Sequence, residues 1–132
     1  MLRLFCKGKI HGATVTEAKL EYEGSVSIDA DLCRAAGMVP FEIVQITSVA
    51  NGTRWKTYVM EAPAGGGTIC LNGPPARHFH PGDRVIILSE ALLTEQEVAA
   101  TTARVVFVDG SNRVTDVVLH SLSDDLTAPP SA

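Results

Sequence analysis

Turn signals cut this chain into short apolar stretches, and that constrains its fold more than anything else in it. Asn51-Gly52, Asn72-Gly73-Pro74-Pro75, Pro81-Gly82-Asp83 and Asp109-Gly110 each separate runs rich in β-branched and apolar residues. Gly supplies backbone angles other residues avoid, and Pro has no N–H for a central ladder, so such clusters end strands. Strands are expected at 2–7, 9–15, 19–22, 25–28, 42–49, 53–61, 68–71, 84–92, 104–108 and 113–119. Asn51-Gly52 predicts a tight primed hairpin, which needs positive φ at both central residues, and Asp109-Gly110 a second hairpin. One short helix is expected over 30–36, with Asp29 as N-cap and Gly37 just past its end. A second follows Thr94-Glu95-Gln96-Glu97, which has the spacing of a capping box. Many short strands with regular turns point to a mainly β chain closed as a small barrel.

The 132 residues suit one domain. A chain of that length buries roughly two-thirds of its unfolded surface, enough for a core without staples. We expect this domain over 1–120 and a flexible polar tail over 121–132 that carries Pro129-Pro130. The net charge of −4 offers no basic footprint for nucleic acid. No apolar run approaches the roughly 20 residues of a membrane span, the longest being Val85-Ile86-Ile87-Leu88. The N-terminus lacks a signal-peptide pattern, and Cys6, Cys33 and Cys70 are odd in number and widely spaced. Both features suggest reduced thiols and a cytoplasmic protein. His78 and His80 have strand spacing for a metal pair, but no thiol or carboxylate accompanies them, and no metal is expected.

Gly24-Ser25, set in Tyr22-Glu23-Gly24-Ser25, is by itself an ordinary turn pair. Its surroundings change that reading. Gly8-Lys9-Ile10-His11, Thr14-Val15-Thr16, Tyr22-Glu23-Gly24-Ser25, Ile28-Asp29, Asn51-Gly52 with Arg54, Thr57-Tyr58, Asn72-Gly73 and Pro81-Gly82-Asp83 occur in this order across residues 1–119. In order, spacing and type this set closely resembles the pyruvoyl-dependent aspartate 1-decarboxylases.

The resemblance implies a six-stranded double-psi β-barrel, assembled as a homotetramer and made as an inactive precursor. It implies cleavage between Gly24 and Ser25 into a 1–24 β chain and a 25–132 α chain, either spontaneous or assisted by a maturation helper protein. In that chemistry the Ser25 hydroxyl attacks the Gly24 carbonyl to give an ester. Elimination and hydrolysis then release ammonia and leave a pyruvoyl group, the enzyme's built-in cofactor. Gly24 is expected to tolerate strain there, and Thr57 is implied as donor to the developing oxyanion.

The pyruvoyl ketone is implied to form a Schiff base with L-aspartate and to accept electrons as CO2 leaves, giving β-alanine for pantothenate synthesis. Tyr58 is implied as proton donor. Arg54 suits the second carboxylate through its planar fork, and Lys9 matches the same site. Asn72, Gly73, Pro74 and Pro75 match substrate-binding positions, while His11 and Tyr22 match positions near the cleavage site without a single role. Strand alternation puts Arg54 with Tyr58 on one face and Thr57 on the other. Either the strand is irregular or the sites lie between subunits, with different faces serving different pockets.

Family members commonly carry alanines where this chain has Pro74-Pro75. Proline cannot donate, so any amide contact there is lost, although Gly73 and Ala76 retain theirs. Thr47 stands where some relatives carry a large aromatic residue. Two alternatives remain: a non-catalytic double-psi barrel serving as an interaction module, and a pyruvoyl decarboxylase of another acidic amino acid.

Overall fold

The computed structural model describes residues 1–123; the part of the tail over 124–132 lies outside the described residues. The strands are β1 (Arg3–Thr14), β2 (Glu17–Lys19), β3 (Ser25–Asp29), β4 (Ile43–Ser48), β5 (Arg54–Ala62), β6 (Ile69–Asn72), β7 (Arg84–Leu93), β8 (Thr102–Val108) and β9 (Val114–Ser121). Between them lie α1 (Ala30–Ala36), a 3-10 turn at Pro74–Arg77 and α2 (Glu95–Ala100). Hydrogen-bonded neighbours run in the order β2-β6-β3-β5-β4-β7-β1-β8-β9. The described chain is therefore mainly β, as the turn pattern predicts.

The two N-terminal strands expected at 2–7 and 9–15 are one long strand. β1 pairs with β7 through register shifts at Cys6/Gly8 and at His11/Ala13, which bend it without ending it. The strand expected at 19–22 is displaced: β2 covers Glu17–Lys19, and Leu20 to Tyr22 turn. Inward residues of the strands make the core, with Ile10, Val26, Ile28, Ile46, Val59, Leu71 and Ile87 fully buried. Such β-branched and Leu side chains each stabilise the fold by roughly 1.5–3 kcal/mol on leaving water.

α1 forms where its caps predict. Asp29 accepts from the Asp31 N–H at 2.8 Å, and Gly37 closes the helix at φ 71°. α2 carries the capping box, with Thr94 and Glu97 bonded reciprocally.

Both hairpin turns differ from the primed form. After β4, only Gly52 has positive φ, and the loop is closed by Ser48 N–H to Thr53 O at 2.8 Å. Four residues lie between those partners, so Asn51 stays in an ordinary conformation and its Oδ1 accepts from Thr53 N–H. After β8, the positive φ of 60° falls on Asn112 rather than on Asp109 or Gly110. Asn112 is buried, exchanging bonds of 2.7 Å with the Thr14 N–H and C=O and donating to Gly67 O at 2.8 Å. That distant clamp decides which residue takes the left-handed position.

Candidate functional site

β3 lies between β5 and β6, and this neighbourhood builds the site. β3 runs antiparallel to β6 with Ser25 opposite Asn72 and Ser27 opposite Cys70. It runs parallel to β5 with Val26 beside Val59. Continued one step back, that register sets Ser25 beside Tyr58, and a further step sets Gly24 beside Thr57. The outward face of these strands lines a cavity of about 360 Å³ that contains Tyr22, Ser25, Phe41, Tyr58 and Asn72.

Ser25 is buried at 6% exposure. Its Oγ accepts a hydrogen bond from Asn72 Nδ2 at 3.0 Å. The same nitrogen donates to Ser27 Oγ at 2.9 Å, and Asn72 Oδ1 accepts from Cys70 Sγ at 3.2 Å. Burial pushes the Cys70 thiol above its ordinary pKa, so it stays protonated at neutral pH and can donate.

The Phe41 ring stacks on Tyr58, with centroids 5.3 Å apart and planes 16° apart. Phe41 holds φ at 69°, an angle that costs a non-glycine residue roughly 1–2 kcal/mol. Asn72 and Phe41 thus hold a hydroxyl and a phenol side by side on one wall. The pair suits chemistry that needs a nucleophilic oxygen and a proton donor in one pocket.

Gly24 does not need its glycine in the way expected. It is outside the left-handed region, and a Cβ there would meet only Pro74 Cδ, at 3.9 Å. The glycine that cannot be replaced freely is Gly73. Its φ is 79°, and a Cβ on it would lie 2.9 Å from Gly24 Cα and from Tyr22 O. Gly73 therefore lets β6 press directly on the backbone before Ser25.

Pro74 and Pro75 begin the 3-10 turn rather than a plain rigid turn. The two amides expected to remain free near them are both engaged: Gly73 N–H donates to Lys19 O, and Ala76 N–H to Gly73 O, each at 2.9 Å.

Of the other expected residues Tyr22 reaches this pocket, whereas Thr57, Arg54, Lys9 and His11 do not line it. Thr57 faces the inner side of β5, is 9% exposed and pairs across to Val44. Arg54 shares the outer face with Tyr58 at the exposed start of β5, opposite Thr47. Lys9 and His11 stand on β1, four strands from β3 in the sheet order, and His11 packs 5.6 Å from the Phe107 ring. Tyr22 lines the cavity and carries Lys19 Nζ over its ring at 5.0 Å. Against expectation a carboxylate does accompany the histidine pair: His80 sits against Asp83 at 3.7 Å, while His78 packs against Trp55, so the two histidines have separate partners.

Ser27, Phe41 and Cys70 belong to the site and were not singled out from the sequence. Ser27 and Cys70 had a signal: each lies two residues from an expected site residue on a strand, hence on the same face. Phe41 had none: its amide donates to Val59 O and its ring stacks on Tyr58, contacts to β5 that local sequence does not signal.

A buried serine hydroxyl and a phenol on one wall of a mainly β fold define an enzyme-like pocket built from the start of β3. Comparison with known proteins identifies the family. The aspartate decarboxylase family profile matches residues 1–115. The chain is 50% identical over 111 residues to the aspartate 1-decarboxylase of Dehalococcoides mccartyi, covering 84% of this chain and 90% of that protein. It is 48% identical over 120 residues to that of Neisseria meningitidis, covering 91% and 94%. It is 52% identical over 114 residues to that of Myxococcus xanthus, covering 86% and 88%. This chain belongs to the aspartate decarboxylase family.

Proposed function

We propose that this protein is a carboxy-lyase that converts L-aspartate to β-alanine and CO2 and so feeds pantothenate synthesis. The observation that carries the reading is the Ser25 hydroxyl, buried beside the Tyr58 position and held by Asn72, in a chain of this family. The pyruvoyl cofactor is read as derived from Ser25. The residues present fit that group: a polar donor, Asn72, already meets the serine, and the pocket beside it is large enough for a small amino acid. Such a ketone supplies an electron sink for the departing carboxylate.

The chain's own residues take the remaining roles. Asn72 orients position 25. Tyr58 delivers a proton to the substrate's α-carbon, with Phe41 fixing its ring. Thr57, next to Gly24 by strand register, donates to the oxyanion of the cleavage step. Gly73 holds the Tyr22–Gly24 backbone against Ser25. Arg54 and Lys9 bind the substrate's second carboxylate. Because Lys9, His11 and Arg54 are outside the pocket of their own chain, the reading places them in a neighbour's pocket, within a homotetramer. Pro74 and Pro75 are read as bordering the substrate; Pro74 Cδ lies 3.9 Å from where a Gly24 side chain would begin, and the Pro75 carbonyl is taken by the His78 and Phe79 amides.

The same reading takes residues 1–120 as one six-stranded closed double-psi barrel and the rest as a tail. It also takes the protein as cytoplasmic. No helix among the described residues is long and apolar enough to cross a membrane. Cleavage is read as the chain's own act, with a helper protein as the variant of that reading.

The test is intact mass with an activity assay. The purified protein should yield two fragments, 1–24 and 25–132, the larger blocked at its N-terminus and reducible by borohydride. It should release CO2 from aspartate faster than from glutamate. A single uncut chain that still decarboxylates aspartate would sink the reading.

A further inference from the structure

Ser25, Ser27, Cys70 and Asn72 form a square across the antiparallel β3–β6 pair, with Ser25 opposite Asn72 and Ser27 opposite Cys70. We infer that Cys70 and Ser27 are positioning residues for self-cleavage: they fix the Asn72 amide so that one of its N–H groups aims at Ser25 Oγ. This rests on the cleavage proposed above.

A primary amide has two N–H donors and one oxygen acceptor, and its two ends are nearly equal in shape. What distinguishes them here is the partner set. Asn72 is 5% exposed, so its amide is held chiefly by these side chains. The Cys70 thiol has a single proton to give, and it lies 3.2 Å from Oδ1. That bond selects the oxygen for the Cys70 side and turns Nδ2 toward the serines. Ser27 Oγ, at 2.9 Å, takes one N–H, and Ser25 Oγ, at 3.0 Å, takes the other. With the amide turned over, Oδ1 would face both hydroxyls, and the Ser25 proton would be drawn into a bond with it. In the observed orientation Ser25 Oγ receives a hydrogen bond and its own proton is free to leave.

The benefit falls on Oγ at two moments, as its proton leaves and as it departs from Cβ; the oxyanion of the acyl shift itself forms on the Gly24 carbonyl oxygen. In the acyl shift, Oγ bonds to the Gly24 carbonyl carbon. The bond from that carbon to the Ser25 nitrogen breaks, and the nitrogen takes the hydroxyl proton. In the elimination, the Ser25 Cα proton passes to water and the Cβ–Oγ bond breaks. Its electron pair leaves on the oxygen as the Gly24 carboxylate. An N–H fixed on that oxygen favours the charge that develops there.

The experiment follows cleavage of freshly purified precursor by intact mass at fixed temperature, with the melting temperature of each substitution measured in a Ser25→Ala background. Cys70→Ala should slow cleavage about two- to tenfold, the range a neutral hydrogen bond commands. Cys70→Ser, which keeps a donor, should restore the rate. Ser27→Ala, at a half-buried position where folding is not threatened, should slow cleavage about twofold with an unchanged melting temperature. Unaltered rates in Cys70→Ala and Ser27→Ala would overturn the inference. So would Cys70→Ser as slow as Cys70→Ala, since that is the signature of packing alone. If the unaltered chain never cleaves, the underlying reading falls and takes this one with it. Normal cleavage with indifferent variants removes only this one.

Discussion

At one end of β3 the Ser25 hydroxyl meets a single neutral amide; at the other, four residues on, Asp29 is gripped by backbone. The Asp29 carboxylate accepts from Asp31 and Gly67 N–H at 2.8 Å each and from Gly65 N–H at 3.1 Å. Burial alone would raise its pKa, but those N–H bonds outweigh it and hold the carboxyl below its ordinary range. Bonds to a charged group contribute roughly twice what neutral ones do. One short strand is thus anchored by three backbone bonds at its Asp29 end and held by one neutral bond at its Ser25 end. The fixed end caps α1 and ties down the loop at 63–68. The Ser25 end is, on the proposed reading, the one whose oxygen changes its bonding.

The difference between the ends can be broken from either side. The largest effect is expected from Ser25→Ala: no cleavage by intact mass and no detectable CO2 from aspartate. Tyr58→Phe should come next. The chain should still cleave, while turnover falls about a hundredfold or more, as loss of a general acid does. Preserved turnover would remove Tyr58 as proton donor.

Asp29→Ala should reverse the pattern. Stability should drop by about 3 kcal/mol, through a lost cap and stranded amides, as read from the urea midpoint. Cleavage per folded molecule should barely move.

The mildest test is pH. A depressed folded pKa means that Asp29 contributes stability above its unfolded value, near 3.8. That contribution is lost as pH falls through the lower folded value. Acidification from pH 6 to 3 should therefore reduce the urea midpoint more in the parent than in Asp29→Asn.

The same contrast explains what could be read in advance. The Asp29 end was legible because its signals are local: an N-cap, seven helical residues and Gly37. The family set also located Ser25 and Tyr58. The bonding between them was not legible, because Asn72 and Cys70 are nearly fifty residues from Ser25 and only strand register brings them opposite. The turn conformations at 51–52 and 109–112 failed for a related reason. Local preference offered Asn51 or Gly110 the left-handed angle, but loop length decided the first and the clamp from Asn112 to Thr14 and Gly67 decided the second. The expected strain at Gly24 lies at Gly73 instead, because close approach, not the attacked residue itself, demands the missing side chain.

β1 supplies twelve residues and lies between β7 and β8 in the sheet. A break after Gly24 therefore leaves the smaller fragment woven into the larger, with no covalent tie to hold it. Melting such a nicked body frees two molecules rather than one. Its thermal midpoint should then climb with protein concentration, and its recovery after denaturation should follow second-order kinetics, unlike those of the uncut Ser25→Ala chain.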